Sequence, residues 1–418
     1  MQKKPIHTLI IGGGAAGFFT AINLAEKLPQ ARIVILERGK EVLTKVKVSG
    51  GGRCNVTHAE FIPKELAKNY PRGEKELLGP FHTFMTGDTI DWFEKRGIAL
   101  KIEEDGRMFP VTDSSQTIID CFLSEIKNRG VEVLKNHSVQ NISKENEHWK
   151  INTVQGDFTA ENLVIATGSN PKIWKLLEKL NHIIVSAVPS LFTFNIKDDR
   201  IKDLPGISKE VSIKIISDFS LFGGGRGELE SEGPLLITHW GMSGPAILKL
   251  SAWGAKELYD LNYQFSIQIN WLLYESKEDT IQLLQEIKQD NGKQLVVKYP
   301  QFELPKRLWQ NLVATSGISE ETKWADVTKN QLQQLSEQLT SSIFKVDGKS
   351  TFKEEFVTAG GVDLKEINFK TFESKLHKNL YFAGEVLNID AITGGFNFQN
   401  AWTGGFIVAK TISDRVTS

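Results

Sequence analysis

The stretch Ile6–Ile11, IHTLII, is a short apolar run rich in β-branched residues. It gives way to glycines and then to AAGFFTAINLAEKL (Ala15–Leu28), where apolar residues recur at helical spacing. ARIVILE (Ala31–Glu37) is a second buried-strand candidate, so the N-terminal stretch predicts a βαβ unit. Between Val131 and Ser169 the runs VEVLKNHSVQNI, HWKINTV and FTAENLVIATGS predict successive strands joined by short polar turns, a β-meander. From about Leu191 to Phe344 the texture changes. SIKIISD and YQFSIQINWLL alternate like strands, whereas DTIQLLQEIKQ and KNQLQQLSEQLTSSI repeat like polar-rich helices, so a separate substructure of barrel plus helices is expected. Near the end, NLYFAGE predicts a short apolar strand, and Thr393-Gly394-Gly395 precedes a last helical pattern.

The first turn carries chemistry. Gly12, Gly14 and Gly17 fit G-x-G-x-x-G between a strand and a helix, and Glu37 follows about 20 residues beyond Gly17, at the tip of the second strand. In such a unit the first glycine permits the tight turn, the second lets the backbone approach a pyrophosphate, and the third lets helix and strand pack closely. The amides that open the helix, at Ala15 and Ala16, then face the anion. A carboxylate at Glu37 suits the two hydroxyls of an adenosine ribose and would repel a 2′-phosphate. Arg38 and Lys45 are counted with this cofactor-binding set.

The fingerprint alone serves NAD or FAD. The far end of the chain separates them: the strand ends at Ala383-Gly384-Glu385, where a carboxylate would meet a ribityl chain. The helix after Gly395, Phe396 and Asn397 would aim its N-terminus at the pyrimidine edge of a flavin, which becomes negative on reduction. A nicotinamide needs no such group. Val131 or Val133 would edge the adenine, and Thr167-Gly168 would pass close to the dinucleotide. The expected fold is therefore α/β, a glutathione-reductase-type FAD/NAD(P)-binding Rossmann-like domain with a β-meander.

Between Lys45 and Thr57 the chain reads KVKVSGGGRCNVT. Glycines that include Gly51 and Gly52 let a backbone lie flat against the cofactor. Arg53 would offer a cation to the pyrophosphate or flavin, and Asn55 an amide to the isoalloxazine edge. Cys54 has no second cysteine nearby to form a redox pair, and a small packed thiol is the favoured reading over a reactive one.

Composition narrows the partners. A formal net charge of −1 over 418 residues leaves no basic footprint for a phosphate backbone, so nucleic acid is not expected. No stretch reaches a membrane-spanning length, and only Cys54 and Cys121 are present, so a soluble chain in a reducing, cytoplasmic compartment is expected.

On these residues the chain resembles the YhiN/BaiN-like flavoprotein family, also described as aminoacetone oxidase family FAD-binding or NAD(P)/FAD-dependent oxidoreductases. The likeness spans nearly the whole sequence. It is most specific at Lys47 and Ser49–Thr57, at Thr238-His239-Trp240-Gly241-Met242-Ser243-Gly244-Pro245, at Ala383-Gly384-Glu385 and at Thr393–Gln399. The resemblance implies a discontinuous FAD domain, 1–190 with 345–418, and an inserted β-barrel-like and helical domain, 191–344, whose face closes over the flavin. This sequence departs from the pattern at Ser169, where the family has Gly, and at Asn388, Ala391 and Asn400 around the flavin rim. His58 stands where the family has Asn.

Other motifs fail on spacing. Gly241–Pro245 lacks the last glycine of a nucleophile elbow, Asp347–Ser350 lacks the leading glycine of a phosphate-binding loop, and the histidines show no metal spacing. Gly223–Gly227 is not followed by a helical pattern, so no second dinucleotide fold is expected. The expectation is an FAD-dependent oxidoreductase acting on a small-molecule substrate, with NAD(P)H as a transient donor. Carbon–carbon double-bond reduction and amine oxidation are both open, and no catalytic residue or metal ligand is named. The competing readings are a flavin-bound sensor or scaffold and an NAD dehydrogenase.

Overall fold

A computed structural model describes residues 4–216, 229–350 and 357–417; Gly223–Gly227 lie outside the described residues. The chain divides into two compact units, 1–188 with 357–418, and 189–356.

The first unit is built on a sheet whose parallel portion runs in the order Leu380–Phe382, Gly156–Ile165, Ile6–Ile11, Ile33–Leu36, Glu132–Leu134. Ile6–Ile11 is central and buried, which is why it reads as an apolar run and not as an alternation. Gly156–Ile165 does two jobs. Its first half pairs antiparallel with His148–Thr153 to complete a meander with Val139–Glu145, and its second half pairs parallel with Ile6–Ile11.

The helix Ala15–Lys27 packs beneath the sheet, and a Cβ at Gly17 would stand 2.0 Å from Gly12 O, so only glycine allows this approach. Phe396–Thr417, the C-terminal helix, packs against it, with the bare Gly405 set against Ala16 and Thr20. Both chain ends therefore share one core, in which Phe19, Phe122 and Trp402 meet.

The second unit is a seven-stranded antiparallel sheet in the order Ser342–Asp347, Gln264–Asn270, Ser208–Ile216, Glu230–Thr238, Gly241–Ser243, Thr193–Asn195, Lys349–Ser350. Its first and last strands are consecutive in the chain. They are joined at Gly348 (φ +99°), whose carbonyl accepts from Asn195 N at 3.1 Å, so the sheet curls back on itself. Helices Lys277–Asp290, Lys306–Thr315 and Lys329–Thr340 share its core through Trp271, Trp309 and Trp324.

This corrects one boundary. The insert does not end at 344, because Ser342–Asp347 pairs along Gln264–Asn270 and Lys349–Ser350 pairs with Thr193 and Phe194. The Asp347–Ser350 stretch is the tight link between those two strands.

Candidate active site

In an open α/β sheet the ligand crevice lies outside the carboxyl ends of the strands, where the strand order reverses. Here the reversal is at Ile6–Ile11, flanked by Gly156–Ile165 on one side and Ile33–Leu36 on the other. Four strands deliver the expected residues to this edge: Gly12 and Glu37 follow a strand end directly, and Thr167-Gly168 and Gly384-Glu385 lie one residue beyond one.

Gly12 turns the chain at φ +116°, and a Cβ there would stand 2.3 Å from Ala166 O. Gly14 occupies the N-cap of the first helix, no side chain caps that helix, and a Cβ at Gly14 would meet nothing within 4 Å. The open space lies where a pyrophosphate would reach the uncapped amides near Ala15 and Ala16. The Glu37 carboxylate accepts from Gly13 N at 2.9 Å and Gly39 N at 2.6 Å, which fixes it at the strand tip with lone pairs to spare for ribose hydroxyls. Arg38 beside it is exposed, and Val133 is half-buried on the neighbouring strand, paired with Ile35.

The C-terminal half of the crevice is clasped to the N-terminal half. Gly384 packs on Ala16, and the Glu385 carboxylate lies beside Gly168 and pairs with Lys45 Nζ at 2.6 Å. Asn55, with its amide oxygen turned toward Gly395 N (3.0 Å) and its nitrogen toward Thr57 O (3.0 Å), pins the turn that opens the last helix. Trp402 Nε1 donates to Val56 O at 2.9 Å, Tyr70 Oη to Phe396 O at 2.6 Å, and Thr57 Oγ1 to the buried Gln399 amide at 2.6 Å. Asn397 is not free for a ligand: its amide accepts from Ala391 N and donates to Ala391 O.

The glycine-rich segment differs from its expected form. Gly50, Gly51 and Gly52 are not a flat run; all three have positive φ (56°, 67°, 85°) and close a helical turn that begins at Thr44, with the break at Ser49. Arg53 is turned away from the role expected of it. Its guanidinium meets Glu103 at 2.6 Å and Asp113 at 3.5 Å and lies over the Phe109 ring, because the strand Arg107–Pro110 and the turns beside it offer opposite charge and an aromatic face together. Cys54 is wholly buried, and burial pushes its thiol up to about 12 against an opposing hydrogen bond from Ser49, so it is no nucleophile.

The sequence reading gave no role to His58, Tyr70 or Gln399. His58 Nδ1 lies 3.1 Å from Gly394 O and its ring stacks on Phe396 at 4.5 Å. Only its departure from the family pattern singles His58 out, and Gln399 is marked only as the end of the Thr393–Gln399 likeness; Tyr70 carries no local signal, since it acts through a partner distant in sequence.

These residues fit FAD. Glu37 and the Gly14 turn suit the adenosine and pyrophosphate, Glu385 with Lys45 the ribityl chain, and the Gly395 turn the ring. The HI0933-like protein Rossmann domain matches residues 6–411. The chain is 30% identical to a ribosomal RNA dihydrouridine synthase of Haemophilus influenzae, over 97% of this chain and 98% of that protein. It is 23% identical to a 3-dehydro-bile acid delta(4,6)-reductase of Clostridium scindens, over 97% and 98%. Among solved structures, the 3-ketosteroid delta1-dehydrogenase of Sterolibacterium denitrificans shares the fold at a TM-score of 0.50 and 9% identity, covering 99% of this chain and all of that one. The chain belongs to the HI0933-like family of Rossmann-fold, FAD-dependent oxidoreductases.

Proposed function

We propose that this protein reduces a carbon–carbon double bond conjugated to a carbonyl, with NAD(P)H as a transient hydride donor to its FAD. The observation that supports this reading is the clasp of both chain ends around one crevice, with Glu37 and Gly14 on one side of it and Glu385 and Gly395 on the other. The choice of reaction is supported by the names of the relatives. Dihydrouridine is uridine with its 5,6 double bond saturated, and a delta(4,6)-reductase acts on double bonds in line with a 3-oxo group. Both bonds accept hydride at the carbon remote from the carbonyl and a proton at the adjacent one.

When bound, FAD supplies the hydride, as cofactors of this class do. The chain supplies position and field. The first helix holds the pyrophosphate, Glu37 holds the ribose, and Lys45 with Glu385 orients the ribityl chain. With Gly395 N already donating to Asn55, the amides that follow it at the start of the last helix would face the ring edge that turns negative and stabilise it by an amount on the order of one kcal/mol from the dipole alone. Cys54 takes no part, being sealed and protonated. Uridine in ribosomal RNA is the first substrate to test, because the H. influenzae relative is the more similar of the two. This sets aside the charge-based expectation against nucleic acid.

The test is anaerobic. The flavoprotein is reduced with NADH or NADPH and then mixed with unmodified ribosomal RNA, or separately with a steroidal dienone, while flavin absorbance is followed. Reoxidation coupled to a saturated product supports the reading. A flavin that neither donor reduces, or that only oxygen reoxidises, contradicts it.

A further inference from the structure

We propose that His58 is a positioning residue coupled to the flavin, taking up a proton from solvent when the bound cofactor is reduced. The inference rests on the reading above, in which the ring edge of FAD meets the turn that opens the C-terminal helix.

The geometry defines the proton. Gly394 O can only accept, so Nδ1, 3.1 Å away, carries the hydrogen in the neutral ring, and Nε2 is left as the basic nitrogen. Its ring lies on Phe396, the first residue of the helix, one peptide from the Gly395 amide that Asn55 pins. Space for Nε2 is built in: a Cβ at Gly106 (φ +83°) would stand 2.6 Å from it.

The charges facing the ring are Glu60 on its own segment, and Asp105 and Arg107 on the adjoining turn and strand. The 393–397 turn on the other side brings no ionisable side chain. In this setting burial, ahead of the Gly394 hydrogen bond and the two carboxylates, holds the imidazole below its usual value and keeps it neutral. A negative charge arriving at the helix N-terminus reverses the balance, because it favours the imidazolium.

The electrons and protons balance. Hydride from NAD(P)H carries two electrons and one proton to the flavin, the nicotinamide is oxidised, and the second proton comes from water to His58 Nε2 instead of to the flavin. One additional proton per two electrons steepens the fall of the flavin midpoint potential by about 30 mV per pH unit.

The experiment uses the FAD-loaded full chain. The midpoint potential is measured against pH for the protein and for His58→Asn, which keeps a side-chain N–H for Gly394 O. The protein is expected to show the steeper slope over the titration range of His58, and the variant to lack it. Equal slopes overturn the proposal while leaving FAD in place; a chain that binds no FAD overturns the flavin reading itself. Should the variant fail to fold, histidine NMR of the unsubstituted protein decides. The His58 pKa rises on flavin reduction if the coupling exists, and an unchanged pKa overturns it.

Discussion

Lys45 Nζ and Glu385 Oε2 stand 2.6 Å apart across 340 residues of sequence. The pair joins the turn before the glycine-rich segment to the end of the last parallel strand, so the crevice has walls from both ends of the chain. Its lysine is exposed, and an ion pair of this kind adds no more than about 1 kcal/mol to stability. Lys45→Met is accordingly expected to leave the melting temperature within a few degrees of the original while weakening FAD. Thermal melts of the apoprotein and fluorescence titration with FAD check both halves.

Two glycines of one motif have separable roles. A methyl group at Gly17 meets Gly12 O at 2.0 Å, whereas one at Gly14 meets nothing. Gly17→Ala is expected to destabilise the apoprotein by about 3 kcal/mol through overpacking. Gly14→Ala is expected to leave apoprotein stability unchanged and to weaken FAD, because the methyl fills the space of the pyrophosphate. Denaturant melts paired with FAD titrations separate the two.

Glu37→Gln removes the charge from an acceptor of two backbone amides. Hydrogen bonds to a charged group contribute about 1.5–3 kcal/mol. FAD affinity is expected to fall roughly tenfold to a hundredfold, measured by titrating the apoprotein.

Both thiols are sheltered. Burial pushes Cys54 up to about 12 and Cys121 up to about 11, the latter helped by Glu125. At pH 8 a disulfide-forming thiol reagent is expected to leave the folded protein unmodified and to label both cysteines once it is unfolded. Rapid labelling of Cys54 in the folded protein would contradict its placement.

His182 provides an acid limit to stability. It is buried between Glu366, 2.7 Å from Nδ1, and Ser374, 3.1 Å from Nε2. Burial lowers its pKa from 6.5 against the raising effect of Glu366. The folded state therefore binds the proton less readily than the unfolded chain does. Stability is complete above pH 6.5 and falls as the pH drops from 6.5 towards the lowered folded value. Urea melts across this range are expected to show that fall, and His182→Gln to flatten it.

Much of this was legible in the sequence where the signal is local. The strand, the glycine turn and the helix at Ile6–Lys27 follow from apolar runs and glycine spacing, and the structure places Glu37 where the spacing put it. The ion pairs of Arg53 are not legible in the sequence because Glu103 and Asp113 lie just beyond two strands of a small sheet that no periodicity announces. A flat path for Gly50–Gly52 is one that glycine permits, yet glycine permits the left-handed turn found there equally. The end of the insert is not legible because Ser342 and Ile343 continue the helical pattern of the run before them, and only pairing with Gln264–Asn270 assigns Ser342–Asp347 to the second unit.

The central claim is that Gly14 and Glu37 grip one end, and Glu385 and Gly395 the other, of a single FAD. Its most direct test is to denature the purified protein, identify the released cofactor and count it per chain, beside the same count for Gly14→Ala. The account predicts one FAD per chain and a clear loss in the variant. A different nucleotide, no nucleotide at all after incubation with FAD, or FAD held as tightly by Gly14→Ala would contradict it.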